Sequence, residues 1–247
     1  MKSPFLLGVL GGLGPMSTFY FCELLTAHTD ASTDAEHIDM LISSRASTPD
    51  RTAFILGQSS QNPLPIMQRE AQRLTDAGAD LIVIPCNTAH FFYDGLCKSS
   101  QTPILNIIEE TVRYLKLQGV KRFGLLATEG TVASKSYHRL CETQGIACIT
   151  PFKDEQAQIS EIIYGAVKQN KPADFAAFLR VCQSLLNRGC ECLVLGCTEL
   201  SLLRREGLPQ PWFVDSLEVL AYRTILACGK EPIGFPSEFE RLREVIV

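Results

Sequence analysis

Short apolar runs rich in β-branched residues alternate along this chain with longer stretches whose apolar positions recur every three to four residues. The short runs read as buried strands and the longer stretches as amphipathic helices that cover them. The pattern predicts strands over residues 5–10, 38–43, 81–84, 104–107, 122–126, 147–150, 193–195 and 212–214. It predicts helices over 63–77, 109–118, 134–144, 156–168 and 174–188, with another starting at Met16-Ser17. Strands that alternate with helices pair in parallel, so the expected fold class is α/β, doubly wound.

Part of this pattern occurs twice. Gly78-Ala79-Asp80-Leu81-Ile82-Val83-Ile84-Pro85-Cys86-Asn87-Thr88 matches Gly189-Cys190-Glu191-Cys192-Leu193-Val194-Leu195-Gly196-Cys197-Thr198-Glu199. Glycine and final cysteine keep one offset, 189 − 78 = 197 − 86 = 111. Upstream, Gly8-Val9-Leu10-Gly11-Gly12 has a counterpart in Gly124-Leu125-Leu126-Ala127-Thr128, each followed by a helix start (124 − 8 = 132 − 16 = 116). Two similar doubly wound domains related by a pseudo-two-fold axis are expected. The first would comprise 1–107 plus 213–247 and the second 108–212, with the crossover near 106–110. Ligands of open parallel sheets bind beyond the carboxyl ends of the strands, which places the site in the cleft between the halves.

Composition narrows the function. With 247 residues, 46% of them apolar, the chain can bury one large core or two modest ones. A net charge of −4, and no basic run longer than Lys121-Arg122 or Arg204-Arg205, argues against nucleic acid as a partner. No segment approaches the roughly 18 apolar residues of a membrane span. Phe5 to Leu10 after Lys2 is too short for a signal peptide and leads into Gly11-Gly12-Leu13-Gly14-Pro15 instead of a small-residue cleavage site. Ten cysteines in so long a chain read as reduced thiols of a cytoplasmic protein, not as a disulfide scaffold.

The chemistry gathers at the two repeated cysteines. Cys86 and Cys197 each follow a buried strand where a helix should begin, and the free N–H groups of a helix N-terminus favour thiolate. The same amides, with Asn87, Thr88 and Thr198, can hold a substrate carboxylate. One thiol on each side of a cleft suits proton transfer at opposite faces of a substrate, as racemisation requires. Cys190, Cys192 and Cys197 do not converge on a strand and have no histidine nearby in sequence, so no metal is expected. Gly11-Gly12-Leu13-Gly14-Pro15 lacks dinucleotide spacing, and Asp30 and Asp34 are expected within the following helix. The turn at Gly12 reads instead as a place where a small ligand approaches backbone. His90 is expected as a structural hydrogen-bonder or a modulator of Cys86, and Glu199 as a helix cap in preference to a residue that tunes Cys197.

Taken in order, Gly11-Gly12-Leu13-Gly14-Pro15, Pro49-Asp50-Arg51-Thr52, Pro85-Cys86-Asn87-Thr88-Ala89-His90, Leu126-Ala127-Thr128-Glu129-Gly130-Thr131 and Gly196-Cys197-Thr198-Glu199 resemble the aspartate racemases of the aspartate/glutamate racemase family. That resemblance spans nearly the whole chain. It implies a cofactor-independent, usually homodimeric enzyme in which Cys86 and Cys197 are the paired acid and base. It also implies that Asn87, Thr88, Thr128 and Thr198 bind the α-carboxylate and amino region, and that Arg51 and Lys168 hold the side-chain carboxylate. A dicarboxylate does need a second cationic anchor, and arginine can grip a carboxylate with two parallel hydrogen bonds. Glutamate racemases resemble Cys-Thr-His at the second cysteine and an Asp-Ser-Gly-type first turn. Cys-Thr-Glu and Gly-Gly-Leu-Gly-Pro here therefore favour aspartate.

The expected reaction is interconversion of L- and D-aspartate, one thiolate removing the α-proton while the opposite thiol delivers another, with a bell-shaped pH profile. Rival readings are a glutamate or broad aspartate/glutamate racemase, a cysteine-dependent small-acid isomerase such as a maleate isomerase or hydantoin racemase, and a dicarboxylate-binding protein.

Overall fold

The computed structural model describes residues 5–205 and 212–244. Lys2 and the outer ends of the expected first domain (1–4 and 245–247) lie outside the described residues.

The first half runs β1 (Leu6–Gly11), α1 (Pro15–Ala27), β2 (Asp39–Ser44), α2 (Arg51–Ile55), α3 (Leu64–Asp76), β3 (Leu81–Val83), α4 (Tyr93–Cys97) and β4 (Ile104–Leu105). Its four strands are parallel in the order β2-β1-β3-β4. The second half runs α5 (Ile107–Leu117), β5 (Arg122–Leu126), α6 (Glu129–Ser134), α7 (Ser136–Gln144), β6 (Ala147–Ile149), α8 (Lys153–Ser160), α9 (Phe175–Asn187), β7 (Cys192–Leu195), α10 (Thr198–Arg205), β8 (Phe213–Asp215) and α11 (Ser216–Ala227). Its strands are parallel in the order β6-β5-β7-β8, so the duplicated sequence is a duplicated topology. Phe213–Asp215 is the edge strand of the second sheet; beyond it α11 packs on α1 and α5, and the chain that follows bridges Pro232 to Thr29 and packs residues 237–244 on α5.

Alternation along the strands divides the core. Leu7, Val9, Leu81 and Val83 of the first sheet and Phe123, Leu125 and Val194 of the second join one apolar cluster drawn from both halves, with Phe21, Ile108, Leu217 and Leu220 from the helices. The intervening residues Leu10, Ile82 and Ile84 face a separate cluster under α3, and Leu193 and Leu195 one under α9. Successive strand residues point to opposite faces, so the central strands of both sheets are covered on both sides, as parallel sheets require, while the edge strand β2 leaves Leu41 and Ile42 exposed. A buried ion pair, Arg223 Nε to Glu110 Oε2 at 2.8 Å, ties α11 to α5. Between the two sheets, Asn106 caps α5 by accepting from the Ile108 and Glu109 amides.

Several elements differ from the sequence pattern. The helix expected over 134–144 is broken at Lys135, which takes φ +55° and separates α6 from α7. The helix expected over 156–168 starts at Lys153, widens into a π turn over Glu161–Ala166 and tightens into a 3₁₀ turn over Val167–Gln169. Asp30 and Asp34 lie beyond α1, Asp34 in a short 3₁₀ turn.

Candidate active site

Both cysteines, Asn87, Thr88, Thr128, Thr198, Arg51 and Lys168 line one cavity at the carboxyl ends of the strands. It is closed to about 10 Å³ of free space, roughly the room for a single water. Leu13, Asp50, Thr52, Tyr164 and Glu199 complete its wall. Gly12 does not line it. With φ +81° it turns the chain after β1, and a Cβ there would stand 2.4 Å from the Arg45 amide nitrogen, so the turn itself requires glycine.

The chain positions the polar groups by bridging the halves. Asn87 donates to Ser216 Oγ (2.9 Å) and accepts from the Tyr137 hydroxyl (2.6 Å), leaving one amide N–H. The Thr88, Thr128 and Thr131 hydroxyls form a triangle with sides of 2.9, 2.9 and 3.1 Å, while Thr128 also caps α6. α2 and α6 meet at Gly130, where a Cβ would come within 2.8 Å of Thr52 Cα. Any side chain at that position would push the two helices apart.

Arg51 begins α2 behind the Asp50 cap, which accepts from the Ala53 amide at 2.7 Å. Its guanidinium is buried. It donates to the carbonyls of Leu13 (2.7 Å), Pro49 (2.9 Å) and Thr48 (3.2 Å), while its buried Nε has no partner. Lys168 and Tyr164, four residues apart across the π turn, both reach the cavity, with the ammonium 5.7 Å from the ring centre. π turns inside helices are frequent at functional sites.

Both thiols are unbridged and buried. The backbone amides of Ala89 and Glu199 favour thiolate at Cys86 and Cys197, as expected of a helix end, but burial outweighs them. Burial pushes the Cys86 thiol up, and the Arg51 charge only partly opposes it. Burial pushes Cys197 well up, the Glu199 carboxylate adds to that, and Lys168 opposes it. The helix expected after Cys86 is a five-residue 3₁₀ turn, Thr88–Phe92, too short to offset the desolvation. Glu199 does not cap α10: its two oxygens go to Lys168 and to the Cys197 thiol.

His90 lies outside this cavity. Its Nε2 accepts from the Ile107 amide at 3.3 Å, which places the ring proton on Nδ1, donating to the Cys86 carbonyl at 2.9 Å. The ring thus ties the Cys86 loop to the start of α5. Burial pushes its pKa down to about 4. The unfolded ring titrates near 6.5, so between these values only the unfolded chain binds the proton. The stability present above about pH 6.5, on the order of 3 kcal/mol, is lost as pH falls toward 4. Glu218, pushed up to about 7 by burial and by Asp215, acts in the opposite sense over nearly the same range. The His90 contribution is therefore expected in a difference: the stability gap between wild type and His90→Asn narrows from pH 7 to pH 4.5 in urea melts. Parallel curves would show that the ring takes up its proton as readily in the fold as in the unfolded chain.

Among the described residues, no three His, Cys, Asp or Glu side chains are grouped so as to hold a metal ion, and no helix is long and apolar enough to cross a membrane.

Comparison with known proteins places this architecture. The family described as Asp/Glu/hydantoin racemase matches residues 10–224, and the chain belongs to that family. It is an amino-acid racemase, an isomerase. The broad-specificity amino-acid racemase RacX of Bacillus subtilis is 27% identical over 225 residues, covering 89% of this chain and 96% of RacX. The aspartate racemase of Picrophilus torridus superposes with a TM-score of 0.80 at 28% identity, covering 96% of this chain and 98% of that one. A glutamate racemase of Aquifex pyrophilus is 31% identical over 160 residues, 60% of this chain and 58% of that protein.

Proposed function

We propose that the chain interconverts L- and D-aspartate by proton transfer between two thiols, Cys86 and Cys197. The observation that carries this reading is one closed cavity lined by the cysteines of both repeated half-sites together with two cations, Arg51 and Lys168. The cations suit a substrate with two carboxylates. The likeness to the Picrophilus torridus aspartate racemase supports the same choice.

In this reading the Thr88–Thr128–Thr131 hydroxyls, the free Asn87 N–H and Thr198 receive the α-carboxylate, while Arg51 and Lys168 receive the distal one. The resting thiolate on one side removes the α-proton, and the thiol on the other returns a proton to the opposite face. Hydrogen bonds to the α-carboxylate stabilise the charge that develops there, and the closed cavity excludes water. No step calls for a cofactor. The enzyme is proposed to act as a homodimer in the cytoplasm, a reducing compartment in which ten unbridged cysteines persist.

Proton NMR of L-aspartate in D₂O with the purified protein tests this. Deuterium at Cα together with D-aspartate is expected, with glutamate and alanine turned over more slowly. Turnover of glutamate or of neutral amino acids at equal or greater rate would move the substrate assignment, and no exchange with any amino acid would overturn it.

A further inference from the structure

Glu199 is buried, yet it is an acid in a cavity meant, on the reading above, for a dianionic substrate. One oxygen pairs with the Lys168 ammonium and the other accepts from Cys197 Sγ at 3.0 Å. Room for the carboxylate exists because residue 14 is glycine: a Cβ there would lie 2.5 Å from Glu199 Oε1 and 3.6 Å from Lys168 Nζ. Each thiol has a cation and a backbone amide favouring thiolate, Arg51 and Ala89 at Cys86 and Lys168 and Glu199 at Cys197, and the Glu199 charge opposes both; only Cys197, however, donates its proton directly to the Glu199 carboxylate. The other charged or titratable groups around the cavity are Asp50 and Tyr164.

We propose that Glu199 is a positioning residue for Cys197: it orients the thiol proton, and holds Lys168 until the substrate's distal carboxylate takes that ammonium over. The inference rests on the two-thiol reading of the site. The resting enzyme then carries its proton on Cys197 and its base at Cys86. In the first half-cycle the Cys86 thiolate takes the α-proton and becomes a thiol, while Cys197 gives its proton to the opposite face and becomes a thiolate. The proton count on the pair is unchanged, and exchange with solvent resets it.

The test measures how the rates at which iodoacetamide alkylates Cys86 and Cys197 depend on pH, read peptide by peptide by mass spectrometry. In the wild type, Cys86 is expected to react at lower pH than Cys197. Glu199→Gln removes the negative charge and should speed alkylation of Cys197 about tenfold at pH 8, equivalent to one unit of acidity, with a smaller change at Cys86. Lys168→Met removes the positive charge and should slow Cys197. Loosening of the site would move Cys197 in the same direction in both variants, so opposite directions distinguish positioning from damage. In Glu199→Gln the released Lys168 should also lower KM for aspartate while kcat falls. Cys197 alkylation that is unchanged or slower in Glu199→Gln, or movement in one direction in both variants, overturns the proposal. If the wild type exchanges no Cα proton at all, the racemase reading fails separately, whatever the alkylation shows.

Discussion

Replacing either Cys86 or Cys197 by serine is expected to lower racemisation by about 10²–10⁴-fold, the range in which a positioned acid or base contributes. A hydroxyl is a far weaker acid than a thiol, and a buried one has no means of ionising. Each variant should nevertheless keep half of the chemistry. The remaining thiolate can still remove an α-proton from the enantiomer that presents it and return deuterium to the same face. Cys86→Ser and Cys197→Ser are thus expected to exchange opposite enantiomers in D₂O with retention of configuration. Because the two forms of the free amino acid are equal in energy, kcat/KM in the wild type must be the same in both directions, and any asymmetry between the thiols appears only in kcat and KM separately. Both thiols are pushed upward, so the wild-type rate is expected to rise toward the alkaline side as one proton is lost from the pair. Persistent racemisation by either variant, or exchange of the same enantiomer by both, would remove the two-thiol mechanism.

The fold was legible because its signal is local and repeated. β3 and β7 each read as a short apolar run between a glycine and a cysteine, and one offset linked them. A residue on a parallel strand that ends at a cavity declares itself in that way. Groups that act across the cavity do not. Tyr137 and Ser216 reach Asn87 from elements 50 and 129 positions away, and no spacing announces such contacts. Tyr164 did have a signal, its place four residues before Lys168, but the π turn that carries both is invisible in a pattern of apolar positions. The acidity of the thiols was only half legible: a strand-to-helix junction announces the amides that favour thiolate, whereas the burial that outweighs them comes from apolar residues scattered along each half. Glu199 was visible beside Cys197, but only the structure shows its side chain turned to the sulfur and away from the helix.

The distal anchor can be tested apart from the thiols. Arg51→Met and Lys168→Met each remove a charged partner of the proposed side-chain carboxylate, an interaction worth roughly 1.5–3 kcal/mol, or about 10–150-fold in kcat/KM for aspartate. Alanine, which lacks that carboxylate, should lose much less, so the preference for aspartate over alanine is the quantity to measure. The two substitutions should strain the fold in different ways. Lys168 bonds no backbone group, but its loss leaves the buried Glu199 carboxylate without its cation. Arg51 satisfies three backbone carbonyls in the loops that follow β1 and β2, and its removal leaves them buried without donors. Arg51→Met is therefore expected to lower the melting temperature as well as the activity. Arg51→Lys should regain part of the charge but not the three-way grip, since an ammonium lacks the fork of a guanidinium. Equal losses for aspartate and alanine in Arg51→Met would mean that this arginine braces the loops and that Lys168 alone selects the second carboxylate.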